Sequence, residues 1–316
     1  MSFLTVHRVV APEKRRPRDR SGDAMLHRYH RSMRVTRIND VPHFARLAAP
    51  VIERDPAANN LVLGIVQSLL DRPDSYADAW CWLVEHEGAS VGAAIRTPPY
   101  NVVIADPLYD EAVDALADRL MTDEPELPGV TANTPWVSRF AERWAAASGS
   151  TARTTIAQGV YALTSVRPPR PAAGGRRAAT HNDRPLLERW MLEFEREALT
   201  AIVRDEHGTQ RAIDARLDAG ESGGFTLWED ADRPVSMTGW TRIPGGARIG
   251  PVYTPAAERG RGYASNLVAE VSSQMLERGA EACFLYTDLG NPTSNGVYQE
   301  IGYEQVAESL MIAFDR

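Results

Sequence analysis

One stretch constrains this chain more than any other: Ile249-Gly-Pro-Val-Tyr-Thr-Pro-Ala-Ala-Glu-Arg-Gly-Arg-Gly-Tyr-Ala264, with the periodic run that follows it to Arg278. A short apolar strand ends near Thr254 and Pro255 interrupts it. Arg259, Gly260, Arg261 and Gly262 then open a helix in which Ala264, Leu267, Val268, Val271 and Met275 recur at helical spacing. Gly279 stands where such a helix stops. Strand, glycine-rich turn and helix N-terminus in that order bind anions, because glycine lets a ligand approach the backbone and the first helical N–H groups lack intrahelical partners. The segment therefore predicts a phosphate-binding turn in an α/β fold.

The spacing Arg259-x-x-Gly262-x-Ala264 resembles the pyrophosphate loop of the GNAT N-acetyltransferase superfamily. Some thirty residues on, Asn291-Pro-Thr-Ser-Asn295, Tyr298 and Ile301-Gly-Tyr303 resemble the second signature of that superfamily. The resemblance covers roughly the last 140 residues of the sequence. It implies acetyl-CoA as co-substrate, no metal, and direct transfer of the acetyl group to a primary amine on a small molecule or peptide. Fourth and fifth strands that splay apart around pantetheine are also implied, which places Val252, Tyr253 and Thr254 beside the cofactor. Arg259, Gly260, Arg261, Gly262, Tyr263 and Ala264 would then cradle its phosphates, with Asn291 and Ser294 near it. Tyr298 matches the position where family members hold a hydroxyl near the CoA sulfur, and so is the candidate general acid. Asn291 and Ser294 equally suit an ordinary helix start.

A chain of 316 residues, 43% apolar, is long enough for two cores. Residues 1–32 are rich in Arg and Pro without apolar periodicity and read as a disordered basic segment. Ordered sequence begins near Met33, which is also a candidate translation start. Nine basic residues against three acidic ones in 1–34 leave the remainder more acidic than the net charge of −7. That argues against nucleic acid as the main partner and suits cationic amines. No run is long enough to span a membrane, and the N-terminus lacks the apolar block of a signal peptide. Two cysteines in apolar contexts, Cys81 and Cys283, read as core thiols of a cytoplasmic protein. Near-exclusive use of Arg over Lys suggests a high-GC, bacterial genome; a homodimer is compatible with everything above.

From Met33 to Val166 the pattern runs strand, two helices, strands, helix, strand, helix, strands, with strands expected at 154–157 and 160–166. A Pro/Gly-rich linker from Arg167 to Gly175 follows, and the same order then repeats. We read a GNAT-like domain over 33–168 and an acetyl-CoA-binding GNAT domain over 169–316, each a mixed, mostly antiparallel sheet flanked by helices. The first half is degenerate where its phosphate turn should lie. Residues 103–116 lack glycine and hold four acids between Asp106 and Asp114, which would repel a pyrophosphate. Trp80, Trp82 and Trp144 read as core aromatics.

The general base is missing from the pattern, since Gly239 to Thr254 contains no Asp or Glu. Glu195, Glu197 and Glu229 are the acids that could act through water. Arg242, Arg248 and Trp240 are candidates for recognising a carboxylate or aromatic group on the acceptor. Two alternatives to acetyl transfer remain at this level: a catalytically silent CoA-binding regulator or scaffold, and transfer from another acyl-CoA donor.

Overall fold

The computed structural model describes residues 33–198 and 206–315. The expected disorder of 1–32 lies outside the described residues. The first half runs β1 (Met33–Ile38), α1 (Val41–Ile52), α2 (Asn60–Asp71), β2 (Trp80–His86), β3 (Ala89–Arg96), β4 (Val102–Ile104), α3 (Asp110–Asp123), β5 (Gly129–Asn133), α4 (Trp136–Ser148) and β6 (Thr151–Leu163). The second half repeats this order as β7 (Gly175–Ala178), α5 (Arg184–Ala198), α6 (Glu206–Asp218), β8 (Gly223–Asp230), β9 (Arg233–Ile243), β10 (Gly246–Tyr253), α7 (Tyr263–Glu277), β11 (Ala282–Asp288), α8 (Pro292–Ile301) and β12 (Glu304–Asp315). Short 3-10 turns at His181–Asp183 and Ala256–Glu258 lead towards α5 and α7.

Among the described residues these strands form one sheet in the order β1-β2-β3-β4-β5-β12-β6-β11-β10-β9-β8-β7. Two pairs are parallel, β4 with β5 and β10 with β11; the rest are antiparallel. The last strand of each half has crossed over. β12 lies between β5 and β6, and β6 lies between β12 and β11. Instead of the two short strands expected at 154–157 and 160–166, β6 is continuous across Gln158-Gly159. Pairing on both sides, Gly159 with Thr287 and with Glu308, overrides the local turn signal.

Helices cover both faces. On one face α7 and α8 pack on Trp228, Trp240, Ala247, Ile249, Cys283 and Leu285. On the other, α5 and α6 cover Phe225, Leu227 and Met237. Next to them α1 and α2 of the first half bury Ile243 and Phe284 of the second, so this core belongs to both halves. Gly245, at the β9–β10 turn, sits so close to Pro56 that a Cβ there would come within 2.6 Å of the ring. Trp82 and Trp144 are buried, and both cysteines are free and buried, with thiols pushed up to about 12 by burial.

Because each half borrows its last strand from the other and the two share a core, neither should unfold alone. Calorimetry of the whole chain is expected to show one cooperative transition. Two transitions separated by 10 °C or more would mean that the exchanged strands contribute little.

Candidate functional site

The parallel ladder between β10 and β11 stops early. It joins Gly246 to Ala282, Ala247 to Cys283 and Arg248 to Phe284, and ends there although β10 runs on to Tyr253 and β11 to Asp288. Gly250 and Pro251 mark the break: Pro251 has no N–H to donate, their peptide is cis, and the register with β9 shifts between Ile249 and Val252. Opposite them Gly239 leaves room for the bulge, since a Cβ at that position would lie 2.9 Å from the Gly250 carbonyl oxygen. Beyond Arg248 the β11-facing edge of β10 therefore has no neighbouring strand, and its backbone groups are free to pair with a ligand.

The opening leads to the N-terminus of α7. Gly262 caps this helix at φ 80°, in the left-handed region, and supplies no side-chain acceptor, so the first-turn N–H groups have no capping side chain. The turn is held from outside. Tyr263 donates its hydroxyl to Asp230 at the tip of the β8–β9 hairpin, and Asn266 donates to the carbonyl oxygens of Gly262 and Arg170, each at 2.9 Å. Arg261 pairs with Glu258 at 3.1 Å. Residues 259–264 are thus gathered around one helix end, as their spacing predicts.

Several side chains point elsewhere. Arg259 donates to the Thr254 carbonyl oxygen at 2.9 Å and to Glu197 of α5 at 2.6 Å. Tyr253 donates to Glu193 at 2.9 Å and is pushed up to about 12, by burial first and by that carboxylate second. The Thr254 hydroxyl bonds the Ser236 hydroxyl at 2.8 Å. What Tyr253 and Thr254 offer the opening is backbone, while their side chains serve α5 and β9.

On α8, the Asn291 side chain accepts from the Ser294 N–H at 3.1 Å and so caps the helix. Asn295 was not singled out from the sequence, yet its Oδ1 is buried and unpartnered among the described residues while its amide donates to the Asp288 carbonyl oxygen at 3.1 Å. Its place four residues after Asn291, on the same helix face, was the available signal. Tyr298 is half-buried, its ring edge-on to Tyr303 at 6.1 Å, and burial pushes its hydroxyl up to about 12. Its hydroxyl therefore stays protonated at physiological pH.

The acids considered as bases are all engaged: Glu195 accepts from Thr209, Glu197 from Arg259 and Glu229 from Arg177. Arg242 donates to the Arg278 carbonyl oxygen, and Trp240 is buried against α7. Of the three acceptor-recognition candidates, Arg248 stands where β10 and β11 part, against Tyr286 and Gly64. In the first half, the matching space beside β4 is filled by polar groups. Asn133 donates to Asp106 and to the Ala58 carbonyl oxygen, each at 3.0 Å, and the Asp106 N–H donates to Asn59 at 2.8 Å. Asp110 and Glu111 occupy the first turn of α3, where a phosphate would otherwise sit.

Among the described residues no cluster of three or more His, Cys, Asp and Glu side chains is placed to hold a metal ion, and no helix is long and apolar enough to cross a membrane. Among known families, residues 229–312 match the model described as FR47-like protein. A search of the curated proteins finds no match. Among solved structures, the chain is similar to a tandem GNAT protein from the clavulanic acid biosynthesis pathway, with 16% identity, a TM-score of 0.58 and coverage of 89% of this chain and 98% of that one. A GNAT-family acetyltransferase from Colwellia psychrerythraea gives 10%, 0.55, 89% and 98% in the same order. A GCN5-related N-acetyltransferase from Sphaerobacter thermophilus gives 20%, 0.51, 89% and 95%.

Gly262 separates charge from strain. A Cβ there meets nothing closer than 3.6 Å, so Gly262→Ala and Gly262→Glu share the left-handed backbone cost but only the second adds a carboxylate at the helix N-terminus. Titration calorimetry with acetyl-CoA should show Gly262→Ala within a few-fold of the parent and Gly262→Glu weaker by about 30-fold or more. Equal affinities for the two variants would remove the anion from this turn.

Proposed function

We propose that this chain, which has the GNAT fold twice over in a tandem arrangement, is an acyltransferase that moves the acetyl group of acetyl-CoA to a primary amine in its C-terminal half. The observation that carries the reading is the parting of β10 from β11 directly in front of an uncapped helix N-terminus. A strand edge with free backbone groups suits the amide-bearing pantetheine arm, and the turn at Gly262 suits a pyrophosphate.

In direct transfer the amine nitrogen attacks the thioester carbonyl carbon, the C–S bond breaks, and the departing sulfur takes a proton. Tyr298 is the donor in this reading. A hydroxyl raised to about 12 is a weaker acid than a free thiol near 8.5, but a thiolate leaving into the same low-dielectric pocket also holds its proton more tightly. The amine sheds its proton to solvent, directly or through bound water. Every acid considered as a base is tied to a hydroxyl or a cation, and this favours the second reading, a CoA-binding protein without turnover, as the one to exclude.

Release of CoA in the presence of an amine panel distinguishes the two. Tyr298→Phe should leave acetyl-CoA affinity within about 2-fold and lower kcat by about 10- to 100-fold. In the parent, kcat should not fall between pH 7 and 10, because Tyr298 stays protonated throughout that range. Unchanged kcat in Tyr298→Phe would reduce the residue to packing, and no CoA release with any amine would favour the silent reading.

A further inference from the structure

Two arginines, one where β10 and β11 part and one on α6, have no carboxylate partner among the described residues. Arg248 is the last residue of β10 to pair with β11, and its guanidinium lies 5.5 Å from the Tyr286 ring centroid. Arg216, on α6, lies 5.5 Å from the Phe225 ring centroid. The Nε atoms of both are buried with no hydrogen-bond partner, and neither side chain forms an ion pair among the described residues. Burial lowers the proton affinity of both; the charge of Arg248 lowers that of Arg216 further, while Tyr76 favours the charged form of both and Tyr286 that of Arg248.

Their setting is unusual for this chain. Many arginines at the sheet and helix surfaces have carboxylates, as Arg96 has Glu124, Arg177 has Asp183 and Glu229, and Arg184 has Asp214, and others, such as Arg54, Arg167 and Arg242, donate to carbonyl oxygens. Asp71, which lines the cleft, accepts from Gln67 and Ser222 and pairs with neither arginine, and nearby Asp218 pairs with Arg72. Arg216 and Tyr76 line this small cleft between α2 and α6, whose volume is about 40 Å³. Arg248 stands deeper, against Gly64 of α2, where a Cβ would touch its Cδ at 3.4 Å. Each residue as a whole is only partly buried, although its Nε is sealed from solvent. Desolvated like charges left unpaired cost stability, and such a cost is commonly retained where a ligand supplies the missing charge.

We infer that Arg216 and Arg248 bind an oxyanion, a carboxylate or a phosphate, carried by the amine acceptor. This rests on the proposed transfer reaction, and it names the acceptor class: amines with an anionic group a few bonds from the nitrogen. Arg248 marks the point where the two strands part, so an acceptor anchored there presents its amine to the opening. Tyr76 and α2 come from the first half, which thereby forms one wall of the acceptor site.

The test uses the whole chain with matched probes. Amino acids are compared with their decarboxylated amines, and O-phosphoethanolamine with ethanolamine, in CoA release. Calorimetry on the CoA-loaded protein follows binding of N-acetyl amino acids against the same N-acetyl amines without the carboxylate, so that the result does not depend on turnover. Acetyl-CoA affinity is measured separately and reports whether the underlying cofactor reading has failed instead. The parent should favour one class of anionic probe at least 10-fold. Arg216→Gln and Arg248→Gln should lose that preference, with little change for neutral probes or for acetyl-CoA, and Arg248→Lys should recover part of it. Thermal melts without ligand should show Arg248→Met no less stable than the parent, because a charge that was desolvated and unpaired has been removed. No preference for anionic probes in the parent, or an equal loss for anionic and neutral probes in the variants, would overturn the inference.

Discussion

The β6–β12 ladder, running from Thr151 opposite Asp315 to Ala162 opposite Glu304, is the contact through which the two halves become one sheet. Neither strand supplies a candidate site residue, yet the site depends on them. By tying β5 to β12 and β6 to β11, they set the angle at which α1 and α2 of the first half meet the second. That angle brings Ile243 and Phe284 under α2, sets Gly64 against Arg248 and places Tyr76 at the cleft. A shift of one residue in this register would turn every side chain on β6 and β12 to the other face, so the sheet has little freedom to slide.

The two halves show how little the fold by itself decides. Both hold a parallel pair at the same place in the order, β4 with β5 and β10 with β11, and both ladders are short. In the first half the space beyond is closed by Asn133, Asp106 and Asn59, and the following helix begins with acids. In the second, Pro251 withholds a donor, Gly239 clears the bulge and Gly262 leaves a helix end without a capping side chain. A few residues thus separate a filled seam from an opening with a positive end. The burial that raises the Asp106 carboxyl further discourages a second anion there.

The repeated order of elements and the glycine-rich turn before α7 were legible in the sequence because their signals are local: helical periodicity, glycine at a left-handed cap, proline at a strand break. Exchange of the last strands was not, since Ser309 pairs with Asn133 from 176 positions away and nothing in either strand's alternation names its neighbour. The backbone of residues 259–264 could be assigned to the turn, but the orientation of Arg259 towards Glu197 depends on where α5 packs. Arg216 and Tyr76 escaped for a different reason. An arginine becomes informative when it lacks a carboxylate, and that is visible only once every neighbouring acid has been assigned to another donor.

The way the turn is held bears on how it can receive an anion. Two kinds of contact surround it, and they differ in what breaking them would cost. Tyr263 is buried and bonded to Asp230, and Asn266 bridges the turn to the Arg170 carbonyl oxygen, so the backbone shape of the turn is fixed before any ligand arrives. Arg259 and Glu197 are each about half exposed, at 46% and 49% of their side-chain surface, and a pair so exposed is worth only about 0–1 kcal/mol. The guanidinium can therefore leave Glu197 for a phosphate at small cost, and the exchange frees a carboxylate beside Tyr253. In the proposed reaction, rigid backbone with an exchangeable cation would suit a turn that binds and releases its ligand in each cycle, because the ordering cost is already met in the fold while the new charge contact displaces only a weak one.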